Sequence, residues 1–275
     1  MNSTESLPVY DSSKRGIAAL EELREIFKYR NLLFQMVRRD VVTRYKRSIL
    51  GIAWTMLNPL MTTLILAVVF SQVFGAEEQY AVYVLSGLMP WTFFSQTTSA
   101  SIVGLLWGGS LIHRIFMPRT VFAVSAIGTG MVNFLLSLVP LFVLILITGV
   151  HLTWSVFLTP IAILFLAMFS LGVGLFLSSV AIRFADIADM YQIILTAWFY
   201  LSPIIFKEEF IPEQFTWIVK LNPMYYLINF FRAFIYDGRF PSMEEYLVTG
   251  GIASISLLFG WIFFSRRADE FAYRI

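Results

Sequence analysis

Residues 121–148 read VFAVSAIGTGMVNFLLSLVPLFVLILIT, an unbroken run without one charged side chain. A bilayer core about 30 Å thick is crossed by about 20 apolar helical residues, so this stretch is long enough to span with some tilt. Five more stretches share its character: residues 51–73, 82–106, 155–181, 190–206 and 246–265. None of the 20 Lys and Arg or 18 Asp and Glu falls inside any of the six. A charge at a helix centre costs about 2.5–3.5 kcal/mol on insertion scales, which is enough to confine charge to the connections. The 190–206 stretch is the shortest of the six.

Composition agrees. Of 275 residues, 58% are hydrophobic and 14% charged, where an average soluble domain is about 25% charged. One water-soluble core cannot hide that much apolar surface, so lipid must cover part of it. The expected fold class is therefore an all-α integral membrane protein with six transmembrane helices. Ten of the 20 Lys and Arg precede the first span and four lie in residues 207–245; the first two outer connections have none. Lys and Arg concentrate on the cytoplasmic side, so the N and C termini are both expected to be cytoplasmic. Residues 1–47 hold no apolar run of the kind a cleaved signal needs, so the first span is expected to direct its own insertion. Three regions follow: a cytoplasmic arm at 1–50, a membrane domain at 51–265 and a cytoplasmic tail at 266–275. Each span but the last carries one proline: Pro59, Pro90, Pro140, Pro160 and Pro203. Each reads first as an ordinary kink and second as a hinge.

The connections carry three features. In the arm, Ile26, Tyr29, Leu33, Met36 and Val37 share one helical face, with Lys28, Gln35, Arg39 and Lys46 near the opposite one. Such a basic amphipathic helix lies in the membrane interface; it is either a topology anchor or a helix at a pore entrance. Residues 107–120 read WGGSLIHRIFMPRT. Leu111, Ile112, His113, Arg114, Ile115, Phe116 and Met117 form a short helix that Pro118 ends. Its apolar side chains beside Arg114 and Arg119 suit docking to a soluble protein, although a solvated loop explains them too. Residues 207–245 are rich in aromatics, and the thirteen residues 224–236, apolar except for Asn229 and Arg232, are too short to cross. Pro212 and Asn222-Pro223 divide the segment into two re-entrant half-helices between spans five and six, or a surface helix with an aromatic belt.

The missing chemistry narrows the function. No lysine is followed by Ser or Thr, so there is no P-loop. There are no cysteines, and the two histidines, His113 and His151, belong to opposite sides. No metal or Cys-His site is expected. Asp186 and Asp189 form one carboxylate pair, read as a loop cap or a partner for Arg183; two carboxylates are too few for a divalent cation. The spans' polar residues are neutral: Asn58, Gln72, Ser95, Gln96, Asn133, Gln192 and Thr196. With them come Trp54, Trp91, Phe93, Phe94, Tyr191, Trp198, Phe199 and Tyr200. Amides and hydroxyls bond to sugar hydroxyls and aromatic faces stack on sugar rings, so this set suits a polysaccharide path. It equally suits helix-to-helix glue.

The motifs resemble the permease subunit of type-2 ABC exporters, in the branch that exports O-antigen, capsule-like glycans or teichoic acid (polyol phosphate). They are the sequence from Arg44 to Gly51, RYKRSILG, followed by Trp54; Pro90-Trp91 with Phe93-Phe94; Leu111-Ile112-His113-Arg114 through Pro118-Arg119; Arg183-Phe184-Ala185-Asp186; Ser202-Pro203-Ile204; and Leu221-Asn222-Pro223. The resemblance runs from Leu32 to Ile275. It departs at His113-Arg114, where the family often has lysines, and at Met117, where it has an aromatic, which leaves partner specificity open.

The resemblance implies a multi-pass protein of the bacterial cytoplasmic (inner) membrane that moves a lipid-linked polysaccharide. It implies a homodimeric conduit driven by two copies of a separate ATPase subunit, which hold the ATP and Mg; the chain itself has no catalytic residues and no cofactor. Leu111 to Arg119 would couple to the ATPase, and an N-terminal gate helix with Arg38, Arg39, Arg44 and Arg47 would meet lipid phosphate. Trp54, Asn58, Trp91, Phe94, Tyr191, Trp198, Phe199 and Tyr200 would line the path. Asn222, Pro223, Tyr225 and Tyr226 would form the outer gate. Membrane lipids, a second copy of the chain and the glycan complete the partners; no nucleic acid is expected. An ABC exporter of drugs or small lipids, a stand-alone channel and a lipid-carrier enzyme are the competing readings.

Overall fold

The computed structural model describes residues 18–46, 48–74, 79–107, 118–184 and 186–267. Every regular element among them is helical. Two helices form the arm, α1 (Ala18–Lys28) and α2 (Arg30–Tyr45). Then come α3 (Ala53–Phe74), α4 (Tyr80–Trp107), α5 (Thr120–Thr148), α6 (Thr159–Ala181) and α7 (Ile187–Tyr200). The short α8 (Thr216–Lys220) and α9 (Pro223–Ile235) lead into α10 (Met243–Arg267). Ala53–Phe70, Thr120–Thr148, Trp154–Ala181 and Met243–Arg267 are long and apolar enough to cross a membrane. With the helical composition, they make this an integral membrane protein. The 28-residue α4 has the length, but Ser86 and the polar residues from Thr92 to Ser101 dilute its apolarity.

The helix in the fifth stretch differs from the sequence reading. It stops at Tyr200 after 14 residues, about 21 Å at 1.5 Å per residue. Turns continue through residues 201–206. Pro203 lies in those turns, not in a helix, because it has no N–H to continue the ladder. Pro160 is also no kink: it occupies the first turn of α6, where the missing N–H has no partner to lose. Pro59, Pro90 and Pro140 remain as interior prolines.

The bundle is built around α4. Residues 82–91 are all buried, and α4 meets α3, α5, α6, α7 and α9. Phe94, Phe230, Phe231 and Phe234 are among its largest fully buried side chains. The α6–α10 contact is the most extensive between two described helices, and residues without bulk let the two backbones meet. A Cβ added to Gly172 would overlap the backbone of Ser256, and one on Gly260 would overlap Gly172 itself. Ser256 Oγ donates to the Phe169 carbonyl at 3.1 Å across the same seam. Small residues permit such approach where lipid offers helices no hydrophobic drive to associate.

The ends are fastened by polar contacts. At the start of α10 the Ser242 N–H donates to Glu245 Oε2 and the Glu245 N–H to Ser242 Oγ, a reciprocal cap. Arg239 adds a two-pronged bond to the same carboxylate, at 2.8 and 2.7 Å. At the other end Ser265 Oγ donates to Glu22 of α1 at 2.9 Å. The apolar face of the arm packs on the bundle: Met36 is buried with Leu105, Phe122 and Phe264, and Leu32 and Leu33 lie against that cluster. Asp186 and Asp189 are both exposed at the start of α7.

Gly172→Leu must push two backbones apart. Overpacking costs about 1–3 kcal/mol, so the thermal unfolding midpoint in detergent falls by several degrees. Leu at Gly251, where an added Cβ meets nothing, leaves it unchanged.

Candidate functional site

Two adjoining cavities make one groove along α4. The smaller one, about 370 Å³, is bounded by Met36, Arg39, Asp40 and Arg44 of α2, by Gln96, Thr97 and Gly104 of α4, and by α5 from Phe122 to Asn133. The larger, about 790 Å³, runs between α3, α4 and α5 to Phe199 of α7. Arg44, Gln96, Gly130 and Asn133 border both.

The groove exists because α4 and α5 turn polar or small side chains toward it. Thr92, Ser95, Gln96 and Ser99 of α4 face Asn58 and Thr62 of α3 and Asn133 and Ser137 of α5. Ser137 Oγ lies within bonding distance of the Asn133 carbonyl at 2.9 Å and the Thr55 carbonyl at 3.3 Å. Gln192 Nε2 donates to Ser99 Oγ at 3.1 Å. Gly130 leaves room where a Cβ would overlap Thr97. The lining past Arg44 is uncharged. It offers donors and acceptors without the grip of an ion.

Of the expected lining residues, Trp54, Asn58, Trp91 and Phe199 border this groove. Phe94 and Tyr191 do not. Phe94 is fully buried against Phe169 and Trp198, with ring centroids 5.4 and 5.1 Å apart. Tyr191 is buried with its hydroxyl 2.8 Å from Thr98 Oγ1. Trp198 lies beneath the groove, edge-on to Trp91 at 6.2 Å, and Tyr200 borders a separate apolar hollow with Phe206, Phe210 and Phe215. Aromatic composition alone does not separate a residue that faces a path from one that wedges the helix behind it.

At the mouth beside α2, Arg39 donates through Nε and Nη2 to one oxygen of Asp40, at 3.0 and 2.9 Å. Arg38 and Arg44 are exposed. Arg47 and the expected coupling residues Leu111 to Met117 lie outside the described residues; Pro118 is buried and Arg119 half-buried at the start of α5.

At the other end, Asn222 organises the expected outer gate. Its Oδ1 accepts from Trp198 Nε1 at 2.7 Å and from the Met224 N–H at 2.9 Å. Its Nδ2 donates to the Leu201 carbonyl and to Ser202 Oγ. One amide therefore caps α9, holds the end of α7 and fixes Trp198. Pro223 takes the first turn of α9. Tyr225 donates to Glu208 Oε2 at 2.7 Å, Tyr226 to the Lys220 carbonyl at 2.9 Å, and their rings meet edge-on at 5.0 Å.

The sequence reading passed over Arg232 as an interruption in an apolar run. Its side chain is 3% exposed and reaches Ser86 and three carbonyls, described below. The available signal was the lone cation in residues 224–236, because an ionisable group among apolar neighbours marks function or demands partners.

A family model for the ABC-2 type transporter matches residues 31–236. The chain is 29% identical over 256 residues to the O-antigen export system permease protein RfbA of Myxococcus xanthus, covering 92% of this chain and 98% of that protein. It is 25% identical over 237 residues to the capsule polysaccharide export inner-membrane protein CtrC of Neisseria meningitidis, covering 82% and 89%. It is 24% identical over 214 residues to the polysialic acid transport protein KpsM of Escherichia coli, covering 73% and 79%.

Asn222→Leu strands the Trp198 N–H, the Met224 N–H and the Leu201 carbonyl together. A buried polar group left unsatisfied costs about 1–3 kcal/mol, so the thermal midpoint drops further than for Trp198→Phe, which removes one bond and keeps most of the ring. Tryptophan fluorescence in the Asn222 variant shifts as Trp198 loses its anchor.

Proposed function

The chain belongs to the ABC-2 type transporter family, and from that premise we propose that it is the membrane subunit of an ATP-driven exporter of a lipid-linked polysaccharide. It is a multi-pass inner-membrane protein, and ATP is hydrolysed by separate subunits. The observation that carries the reading is the groove: Arg39, paired with Asp40, and Arg44 at its inner mouth, then a neutral lining of amides, hydroxyls and two tryptophans. A phosphate-bearing lipid carrier suits Arg39 and Arg44, since guanidinium forks match phosphate oxygens. A glycan suits the lining. A small apolar cargo would gain nothing from Gln96, Asn133, Ser95 and Ser99.

In this reading α3, α4, α5, α6 with the turn before it, α7 with residues 201–206, and α10 are the six spans. Both termini are cytoplasmic, and α8 and α9 fold back from the outer face. α2 is the gate helix, and residues 111–119 couple to two ATPase copies. A second copy of the chain completes the conduit across α3. Only 6% of residues Ala53–Phe70 is buried, against 50% for the most apolar window of Trp154–Ala181, so α3 is the span with most surface left to cover.

The experiment is purification of the tagged chain from native membranes in mild detergent, with ATPase activity read on the eluate. An ATPase subunit that co-purifies in equal amount and responds to lipid-linked glycan is the expected result. A chain that purifies alone in several detergents overturns the reading. In the same assay Arg39→Ala/Arg44→Ala raises the glycan concentration for half-maximal stimulation about tenfold or more, since a hydrogen bond to a charged group contributes about 1.5–3 kcal/mol. Basal hydrolysis stays near the parent's.

A further inference from the structure

Where α7 stops, six consecutive carbonyls from Leu201 to Phe206 need donors, and four of those residues, Ser202 to Ile205, are buried. Every one has a donor. Asn222 serves Leu201, and the Ile204 N–H serves Ser202 at 2.7 Å. Arg232 serves Pro203 through Nη1 and Ile204 through Nη2 at 3.0 Å. Tyr80 OH donates to Ile205 and Tyr83 OH to Phe206, both at 2.8 Å. Arg232, on α9, bonds α4 as well as the turn. Its Nη2 also donates to the Tyr83 carbonyl at 3.1 Å, its Nε reaches Ser86 Oγ at 3.4 Å, and its guanidinium lies 3.7 Å from the centre of the Tyr83 ring. Gly87 is the residue that admits it: a Cβ there would overlap Nη2 and crowd Ile204.

A buried guanidinium is a costly way to fill a core, and a hydrophobic residue of similar size is often as stable or more so. What the cation adds is direction. Five donors in a rigid fork tie the outer end of α4, the turn at 201–206 and α9 into one body, and no apolar contact specifies a position so sharply. Resting on the export reading above, we propose that Arg232 is the positioning residue of the outer gate. It holds the 201–206 turn shut against α4, and the outer end of the path opens when that fork lets go.

The chain contains no cysteine, so Ile205→Cys, at a side chain 7% exposed, is a single reporter. The complex with its ATPase subunits, in cells stripped of their outer layers, is treated from outside with a membrane-impermeant maleimide. With Arg232 present the reporter labels slowly. Arg232→Met labels about tenfold faster, because labelling follows the population of the locally open state. Arg232→Lys falls between, since one ammonium lacks the fork's spread. A control, Ile145→Cys, buried on α5, stays slow in every background, which a loosening of the whole fold would not allow. Unchanged labelling of the Ile205→Cys reporter in Arg232→Met, or an equal rise at the control, overturns the proposal. If Arg232→Met does not reach the membrane, Gly87→Ala decides, because it keeps every donor but displaces the fork. A rise supports the latch and a slow reporter overturns it. Surface glycan is measured in parallel and separates the two readings. A labelling rise with export unchanged overturns the part given to Arg232 in the gate. A chain that never supports export overturns the export reading, whatever the reporter does.

Discussion

Backbone carbonyls buried where water cannot reach must find donors inside the protein, and the break after α7 puts six of them in a row. The end of the fold that holds α9 is arranged around that demand. Two tyrosines one turn apart on α4, one asparagine before α9 and one arginine within α9 converge on residues 201–206. Three of the four do second work. Asn222 caps a helix, Tyr83 offers its ring to the guanidinium, and Arg232 binds α4 as well as the turn. The break is therefore held at the start of α4.

The groove depends on the same helix. Side chains of α4 that face Arg232 and those that face the cavity are separated along its length: Ser86 and Gly87 serve the latch, and Thr92 to Ser99 serve the groove. Trp91 at the edge of the groove and Phe94 and Trp198 beneath it wedge α7 against α4. Trp198 is in turn fixed by Asn222, so the floor of the groove and the cap of α9 share a residue. The seam of Gly172, Ser256 and Gly260 holds α6 and α10 together on the other side.

The helical class and most of the spans were legible in the sequence because uncharged runs of such length have one physical outcome. The division at Asn222-Pro223 was legible too, since an Asn-Pro pair interrupts a helical run; that Asn222 caps the next helix is seen only in the structure. The lining was legible only in part. Asn58, Gln96 and Asn133 were marked by being polar among apolar neighbours, whereas Phe94 and Phe199 have the same chemistry and differ only in which way the helix turns them. The end of α7 at Tyr200 was hidden for a related reason: residues 201–206 are as apolar as a span, and what stops the helix is a proline, a trait four other spans were read to share. Pro160 and Pro203 are alike in sequence, and a first turn and a break become distinguishable only when the donors around them are known.

Arginine occurs here in two settings that show how burial assigns a role. Arg38 and Arg44 are exposed on α2, where charge acts at a distance and water competes for each bond. Arg232 is enclosed, and its partners are carbonyls, a hydroxyl and an aromatic face, all neutral. The exposed cations are suited to capturing an anionic group and releasing it. The enclosed one has no free face for a ligand, so its charge is spent on fixing positions. In the export reading proposed above, the two settings divide the work: the exposed arginines hold the charged end first, and the enclosed one keeps a far boundary in one position. α4 links them, with the groove along its middle and the fork at its Tyr80 end.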